Sequence, residues 1–469
     1  MKPSASALLA GLPVLCLGAA PQNPFQLQES TAQAFVAAFN AGEDAMAAFW
    51  KANATADPNQ QRSMEERLAS YRRLRSQLGD LKVHSVDRSG PKAVALLVQG
   101  KDGSWVSLGF AFDAAGRVEQ IRITEGEDPH PGPPLSQAQF IAEVESYLKA
   151  QTQRDAFSGS VLIARNGEPI FQRAFGMANR ELGVPNTVDT RFNLGSINKI
   201  FTKVAIGQLA AAGKLSFDDP VGKYLPDYPN AEARAKVKIR HLLDMSAGIG
   251  DFFGPEFEAA NKERIRSLKD YLPFFASKPL GFEPGTDRQY SNGGYVLLGL
   301  IVEKAAGQDY YAYVKAHVYE PCGMKDTDWL EVDAVAPNVA EGYIREGGLR
   351  RNVYTRPAKG SSAGGGYATT ADMLRFAVAL RAGKLLPPGL NAWVMSGSPT
   401  PADAKASAPA RAELPGLGIG GGAPGINAAL EMDGPITAVV LCNEDPPVAQ
   451  RTARHLRALW RRLAPGGKD

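Results

Sequence analysis

Apolar positions recur at two different periods along this chain, and the change of period divides it. Residues 31–51 and 63–78 carry apolar side chains at helical spacing, with Phe35, Phe39 and Phe49 in the first stretch. Ser63 and Glu66 stand in capping-box spacing at the start of the second. Period-two stretches follow at 81–87, 93–99, 105–112 and 118–123, with hairpin signals at Lys101-Asp102-Gly103 and Ala114-Ala115-Gly116. The pattern predicts a small α+β unit over 24–126, two helices followed by a curled antiparallel sheet.

The acidic, proline-rich run 127–136 then reads as a linker. Beyond it, Phe140, Val144, Tyr147 and Leu148 mark an amphipathic helix. Strand patterns at 159–165 and 169–176 flank an Asn166-Gly167 turn. A long helical and loop-like region follows from 196 to about 390. Strands near 428–432 and 436–442 and a basic helix over 447–463 close the chain. Strands at both ends with helices between predict one antiparallel sheet flanked by helices, completed by an inserted all-helical lobe.

The 469 residues are 44% hydrophobic with a formal charge of +3 spread along the chain, so no nucleic-acid surface is indicated. Lys2, the apolar run 8–17 and Gly18-Ala19-Ala20 have the form of a signal peptide over 1–20, which predicts a periplasmic or secreted protein. Leu15 is too large to precede a lipidated Cys16, so a lipoprotein is not expected. The run is also too short to span a bilayer, and no membrane span is expected in the mature chain. Cys322 and Cys442 remain after cleavage and read as small apolar residues; no metal-ligand pattern and no cofactor is indicated.

The candidate chemistry lies in three segments. Ser-x-x-Lys occurs three times. Ser89-Gly90-Pro91-Lys92 falls in a turn, and Ser146-Tyr147-Leu148-Lys149 falls mid-helix. Ser196-Ile197-Asn198-Lys199 instead opens a helix, where free N–H groups stabilise negative charge and Lys199 lies on the same face. Tyr290-Ser291-Asn292 leads into a second apolar helix. A phenol held near the Lys199 ammonium loses its proton more readily and acts as a base toward serine. The Asn292 amide can hold both the lysine and a substrate carbonyl. Glycines at 420–422 precede a strand and allow a backbone N–H to be aimed at a ligand. A second cluster, Gly364-Gly365-Gly366, suits the same cleft or a tight turn. Gly360-Ser361-Ser362-Ala363-Gly364 matches G-x-S-x-G, but no apolar strand precedes it.

Taken together, FSGSVLIARNGEPIFQRAFGMANRE, TRFNLGSINKIFT, LAAAGKLSFDDPVGKYLPDYP, IRHLLDMSAGI, YSNGGYVLLGLIVEKAAG, AGGGYATTADMLRF and GGGAPGINAAL make 137–469 resemble the serine β-lactamase/penicillin-binding-protein family. The resemblance is closest to its class C β-lactamase, DD-peptidase and family VIII esterase branch. The first unit resembles NTF2-like domains in architecture alone. The family resemblance implies a β-lactamase/transpeptidase-like α/β fold with the active site between sheet domain and helical lobe. It implies Ser196 as acylated nucleophile, Lys199 as its proton partner and Tyr290 as general base. Asn292 would bind the substrate carbonyl or Lys199, and the N–H groups of Ser196 and Gly422 would form the oxyanion hole. Ile419, Gly420 and Gly421 would line the substrate strand.

Ile419 departs from the Lys or His usual there, which binds a substrate carboxylate and helps acidify the tyrosine. The departure favours a small uncharged ester, amide or peptide over a β-lactam. It also leaves open a catalytically impaired homologue that binds peptidoglycan or peptides.

Overall fold

The computed structural model describes residues 24–55, 63–90, 92–101, 103–126, 128–129, 131–396 and 416–464. The predicted leader 1–20, Pro91, Asp102, and Glu127 and His130 of the linker lie outside the described residues. The chain divides into two compact units, Met1–His130 and Pro131–Asp469.

In the first unit, helices α1 (Pro24–Ala41), α2 (Glu43–Asn53) and α3 (Met64–Leu78) precede an antiparallel meander, β1 (Leu81–Gly90), β2 (Ala93–Gly100), β3 (Trp105–Phe112) and β4 (Val118–Glu125). The single helix expected over 31–51 is two helices. Gly42 separates them at φ 125°, a conformation that a residue with a Cβ strongly resists. The Ser63–Glu66 capping box forms, with Glu66 N–H on Ser63 Oγ at 3.2 Å and Ser63 N–H on the Glu66 carboxylate at 2.7 Å. Strands β2 and β3 alternate between half-buried and buried residues, as period two requires of a sheet packed on one face. Phe35, Phe39, Leu96, Leu108 and Phe110 fill the core between sheet and helices.

The second unit centres on a five-stranded antiparallel sheet. Its order is β7 (Leu417–Ala423), β8 (Ile426–Asp433), β9 (Ile436–Cys442), β5 (Gly159–Arg165) and β6 (Glu168–Phe175). The pairing of β9 with β5, Val440 opposite Val161, joins the two ends of the unit into one sheet. Residues 436–442 are all buried, as expected of a strand covered on both faces. On one face α4 (Gln137–Gln153) and α8 (Val448–Trp460) pack through Phe140, Val144, Leu148, Leu456 and Trp460. The other face meets a larger apolar core shared with α5 (Lys199–Ala211), α6 (Asn292–Ala306) and α7 (Thr370–Arg381). Helix α6 is buried at every position from Asn292 to Val302, so it forms the axis of the helical lobe. Cys322 and Cys442 are both free thiols.

The glycine run was expected to precede a strand. It lies inside one: Gly420–Gly422 belong to β7, the edge strand of the sheet. Among the described residues no helix is long and apolar enough to cross a membrane.

Candidate active site

The nucleophile segment is shaped by asparagines and glycine. Gly195 adopts φ 50°, and its N–H is held by Asn193 Oδ1 at 2.9 Å. Ser196 does not open the α-helix itself; residues Gly195–Asn198 form a single 3₁₀ turn, and α5 begins at Lys199. Side chains three apart eclipse one another in a 3₁₀ turn. Lys199 Nζ accordingly stands 3.1 Å from Ser196 Oγ. Asn198 is fully buried, and its Oδ1 takes the Gly366 N–H at 2.9 Å, tying the Gly364–Gly366 loop beneath the serine.

The opposite wall comes from the start of α6. Ser291 caps this helix by accepting the Gly294 N–H at 2.8 Å, and its own hydroxyl donates to Gly250 O at 2.9 Å. The cap fixes Tyr290 just outside the helix and Asn292 at its first position. Tyr290 Oη lies 2.7 Å from Ser196 Oγ, and Asn292 Oδ1 accepts from Lys199 Nζ at 2.7 Å. A third partner, the carbonyl of Ala363, accepts from Nζ at 2.6 Å.

The edge strand β7 supplies the third side. A Cβ on Gly421 would stand 1.9 Å from Leu194 O and 2.9 Å from Ser196 N. A Cβ on Gly195 would stand 2.8 Å from Gly422 N. Only bare backbone allows this approach, and it makes the Gly422 and Ser196 N–H groups neighbours. Gly421→Ala is therefore expected to push β7 off the serine turn and to lower kcat by about 10²-fold or more, the scale of losing one oxyanion donor. Unchanged kcat on an aryl ester would remove Gly421 from this argument.

Lys199 is only 8% exposed, and burial pushes its ammonium down to about 7. The carboxylate of Asp251 pulls in the other direction. Tyr290 is held above its ordinary value by burial of its hydroxyl, which outweighs the hydrogen bond from Ser196. The expected acidification of the phenol by a neighbouring ammonium is opposed here by burial of the Tyr290 hydroxyl. The Asp251 carboxylate raises the phenol further.

Ser196, Tyr290, Asn292, Gly420, Gly421 and Gly422 all line one cleft of about 530 Å³, with Lys199 buried behind the serine. Ile419 does not line it. Its apolar side chain is half-buried against the larger core, where transfer from water favours it.

Three contributors were not legible beforehand. Asp251 takes the Asn292 side-chain N–H at 2.8 Å and so turns Oδ1 toward Lys199. It lies two residues past IRHLLDMSAGI, and only the fold brings it to the site. The Ala363 carbonyl acts through backbone, which no side-chain pattern reveals. It belongs to the G-x-S-x-G segment, whose serines are buried: the Ser361 carbonyl accepts from Trp329 and Ser362 Oγ donates to Tyr295 O, so neither is an elbow nucleophile. Arg356 lines the cleft. Arg411, a basic residue that could supply the cation missing at Ile419, lies outside the described residues.

The family model described as Beta-lactamase matches residues 141–459. The chain is 30% identical over 245 residues to the putative penicillin-binding protein PbpX of Bacillus subtilis (strain 168), covering 52% of this chain and 59% of that protein. It is 34% identical over 212 residues to esterase EstB of Burkholderia gladioli, covering 42% of this chain and 54% of that protein. The chain thus spans about half the length of these curated relatives. Among solved structures, a penicillin binding protein from Bacillus halodurans superposes with a TM-score of 0.59 at 30% identity, over 67% of this chain and 99% of that one.

Proposed function

The chain belongs to the β-lactamase family of serine hydrolases, and from that premise we propose that it cleaves an ester or amide through an acyl-Ser196 intermediate. The observation that carries the reading is the set of partners around Lys199. Its two shortest contacts, Asn292 Oδ1 at 2.7 Å and Ala363 O at 2.6 Å, are both acceptors. As an ammonium it donates to Ser196 Oγ as well, 3.1 Å away; in its neutral form it keeps the two shorter bonds and presents its lone pair to that oxygen. Lys199 takes the hydroxyl proton as Oγ bonds to the substrate carbonyl carbon. The resulting oxyanion is held by the N–H groups of Ser196 and Gly422. Tyr290, protonated at neutral pH, passes its proton to the departing oxygen or nitrogen and is recharged from the Lys199 ammonium. Water then attacks the acyl-serine by the reverse route, releasing the acid. No step calls on a cofactor.

Ile419 favours an esterase or peptidase over a true β-lactamase, because a β-lactam carboxylate finds no cation at that position. Three results test the acyl-serine route and this preference. A fluorophosphonate should label Ser196, and an activated aryl ester should release a burst of one nitrophenol per chain with a matching acyl adduct in the intact mass. Cephalosporin turnover should be slow or absent, and efficient hydrolysis would overturn the argument from Ile419. Ile419 also favours a second reading, a non-catalytic protein that binds peptidoglycan or peptides, which the absence of any label or burst would select.

We further assign the chain to the class C, DD-peptidase and family VIII esterase branch on the strength of the motifs in 137–469. The 24–126 unit is NTF2-like by its helices followed by a four-stranded meander, with 127–136 as linker. Export through the 1–20 leader rests on that segment's charge and apolar pattern.

A further inference from the structure

The cleft is neutral nearly throughout. Its walls include Phe252, Phe253, Leu330, Val332 and Pro357, and among the described residues one charged side chain lines it, Arg356. That guanidinium is under-used. Among the described residues it donates to the Tyr367 hydroxyl, and its ionic contact is a distant one, 3.8 Å to Glu341, whose carboxylate is engaged by Arg351 at 2.9 Å. Arg356 Nε is buried and, among the described residues, has no hydrogen-bond partner. The terminal nitrogens are the ones turned to Tyr367 and Glu341, and the distant contact to Glu341 leaves donor capacity for an arriving carboxylate.

Position matters as much as charge. Arg356 borders a small hollow with Gly425 and Ile426, at the hairpin end of β7. Ile419 lies four residues back along the strand from Ala423, about 13 Å at a rise of about 3.3 Å per residue. The cation of this cleft therefore sits at the opposite end of the strand segment from the position where Ile419 replaces one. Tyr290, the proton donor to the leaving group, stands on the helical wall before α6. Arg356 stands on the wall made by the hairpin and Tyr367, whose backbone pairs with Asn193. Ser196, Tyr290 and Arg356 line the same cleft, so with the leaving group at Tyr290 we take the acyl chain to lie on the side that holds Arg356.

We infer that Arg356 is the anion-binding residue of the acyl pocket, and that the substrate is an ester or amide with an apolar acyl chain ending in a carboxylate. The inference rests on the acyl-serine reading for the direction of the acyl chain. It moves the expected substrate from an uncharged acyl group to an acidic one. Carboxylate and guanidinium form paired, parallel hydrogen bonds, which gives the site a geometric preference as well as a charge preference.

The test compares mono-4-nitrophenyl adipate and suberate with 4-nitrophenyl hexanoate and octanoate, chains of equal length that differ in the terminal carboxylate. The ratio of kcat/KM, acidic over neutral, should fall about tenfold or more in Arg356→Met, carried by KM, with an intermediate ratio in Arg356→Lys. A ratio that is the same in wild type and Arg356→Met would overturn the inference. A second measurement does not depend on turnover. Monomethyl adipate should bind Ser196→Ala in calorimetry with an affinity that weakens as salt is raised, and adding Arg356→Met should weaken it about tenfold. Equal affinity in the two proteins would overturn the site even if the ester kinetics were ambiguous. If wild type neither hydrolyses the esters nor labels at Ser196, the acyl-serine reading fails on its own, and the calorimetry still decides Arg356.

Discussion

Ser196→Ala is expected to lower turnover of a nitrophenyl ester by at least about 10⁴-fold and to abolish fluorophosphonate labelling. The size follows from the absence of a substitute in the same environment. Ser291 Oγ is committed to Gly250 O and to the cap of α6, and Ser362 Oγ to Tyr295 O. Ser361 is buried, with its Oγ accepting the Ala363 N–H. None of them adjoins both Lys199 Nζ and a pair of free N–H groups. The substitution removes one hydroxyl from the cleft wall and leaves Lys199 its contacts to Asn292 and Ala363, so the melting temperature should stay close to wild type. Turnover by the alanine variant within tenfold of wild type would show that the acyl-serine route is wrong.

Much of this site could be read from residue order, and the physical reason differs from part to part. Ser196 and Lys199 are linked by local geometry, three residues apart in one helical turn, so their juxtaposition needs no tertiary information. Tyr290 and Asn292 required the Tyr-x-Asn pattern and its order after Ser-x-x-Lys, because 94 residues separate Tyr290 from the serine. The sheet was legible from short apolar strand patterns at both ends of 137–469 and the Asn166-Gly167 turn, its central strands being buried on both faces. The break at Gly42 was not foreseen, since apolar spacing carries across it while the backbone does not. Charge states were the least legible part. Whether a lysine acidifies a tyrosine depends on its being charged, and burial of Lys199 is a property of the fold. Asp251 and the Ala363 carbonyl were hidden for the same reason, as each matters only through what the packed chain places beside Asn292 and Lys199.

That charge state makes the second large prediction, which concerns pH. If neutral Lys199 is the base, kcat/KM for a neutral ester should be flat above about pH 8. It should decline below a single apparent pKa near the value of about 7 given by burial, approaching tenfold per unit well below it. Below that value the amine is an ammonium with no lone pair for Ser196 Oγ. Lys199→Met should lose about 10³-fold and lack the acid limb. Lys199→Arg retains a cation but cannot give up its proton, and it should be as inactive as the methionine variant. Near-normal activity in Lys199→Arg would show that the residue works as a fixed charge and not as a base. Asp251→Asn removes the carboxylate that favours the ammonium, so its acid limb should move to lower pH. Stability carries the same signature. The lysine titrates near 7 when folded and near 10.5 when unfolded, so between these values the unfolded chain binds the extra proton. The free energy of unfolding should therefore rise with pH across that window, and Lys199→Met should remove this part of the rise. A wild-type acid limb at pH 5 or below, with no difference in the pH dependence of unfolding between the two proteins, would place the serine's proton elsewhere.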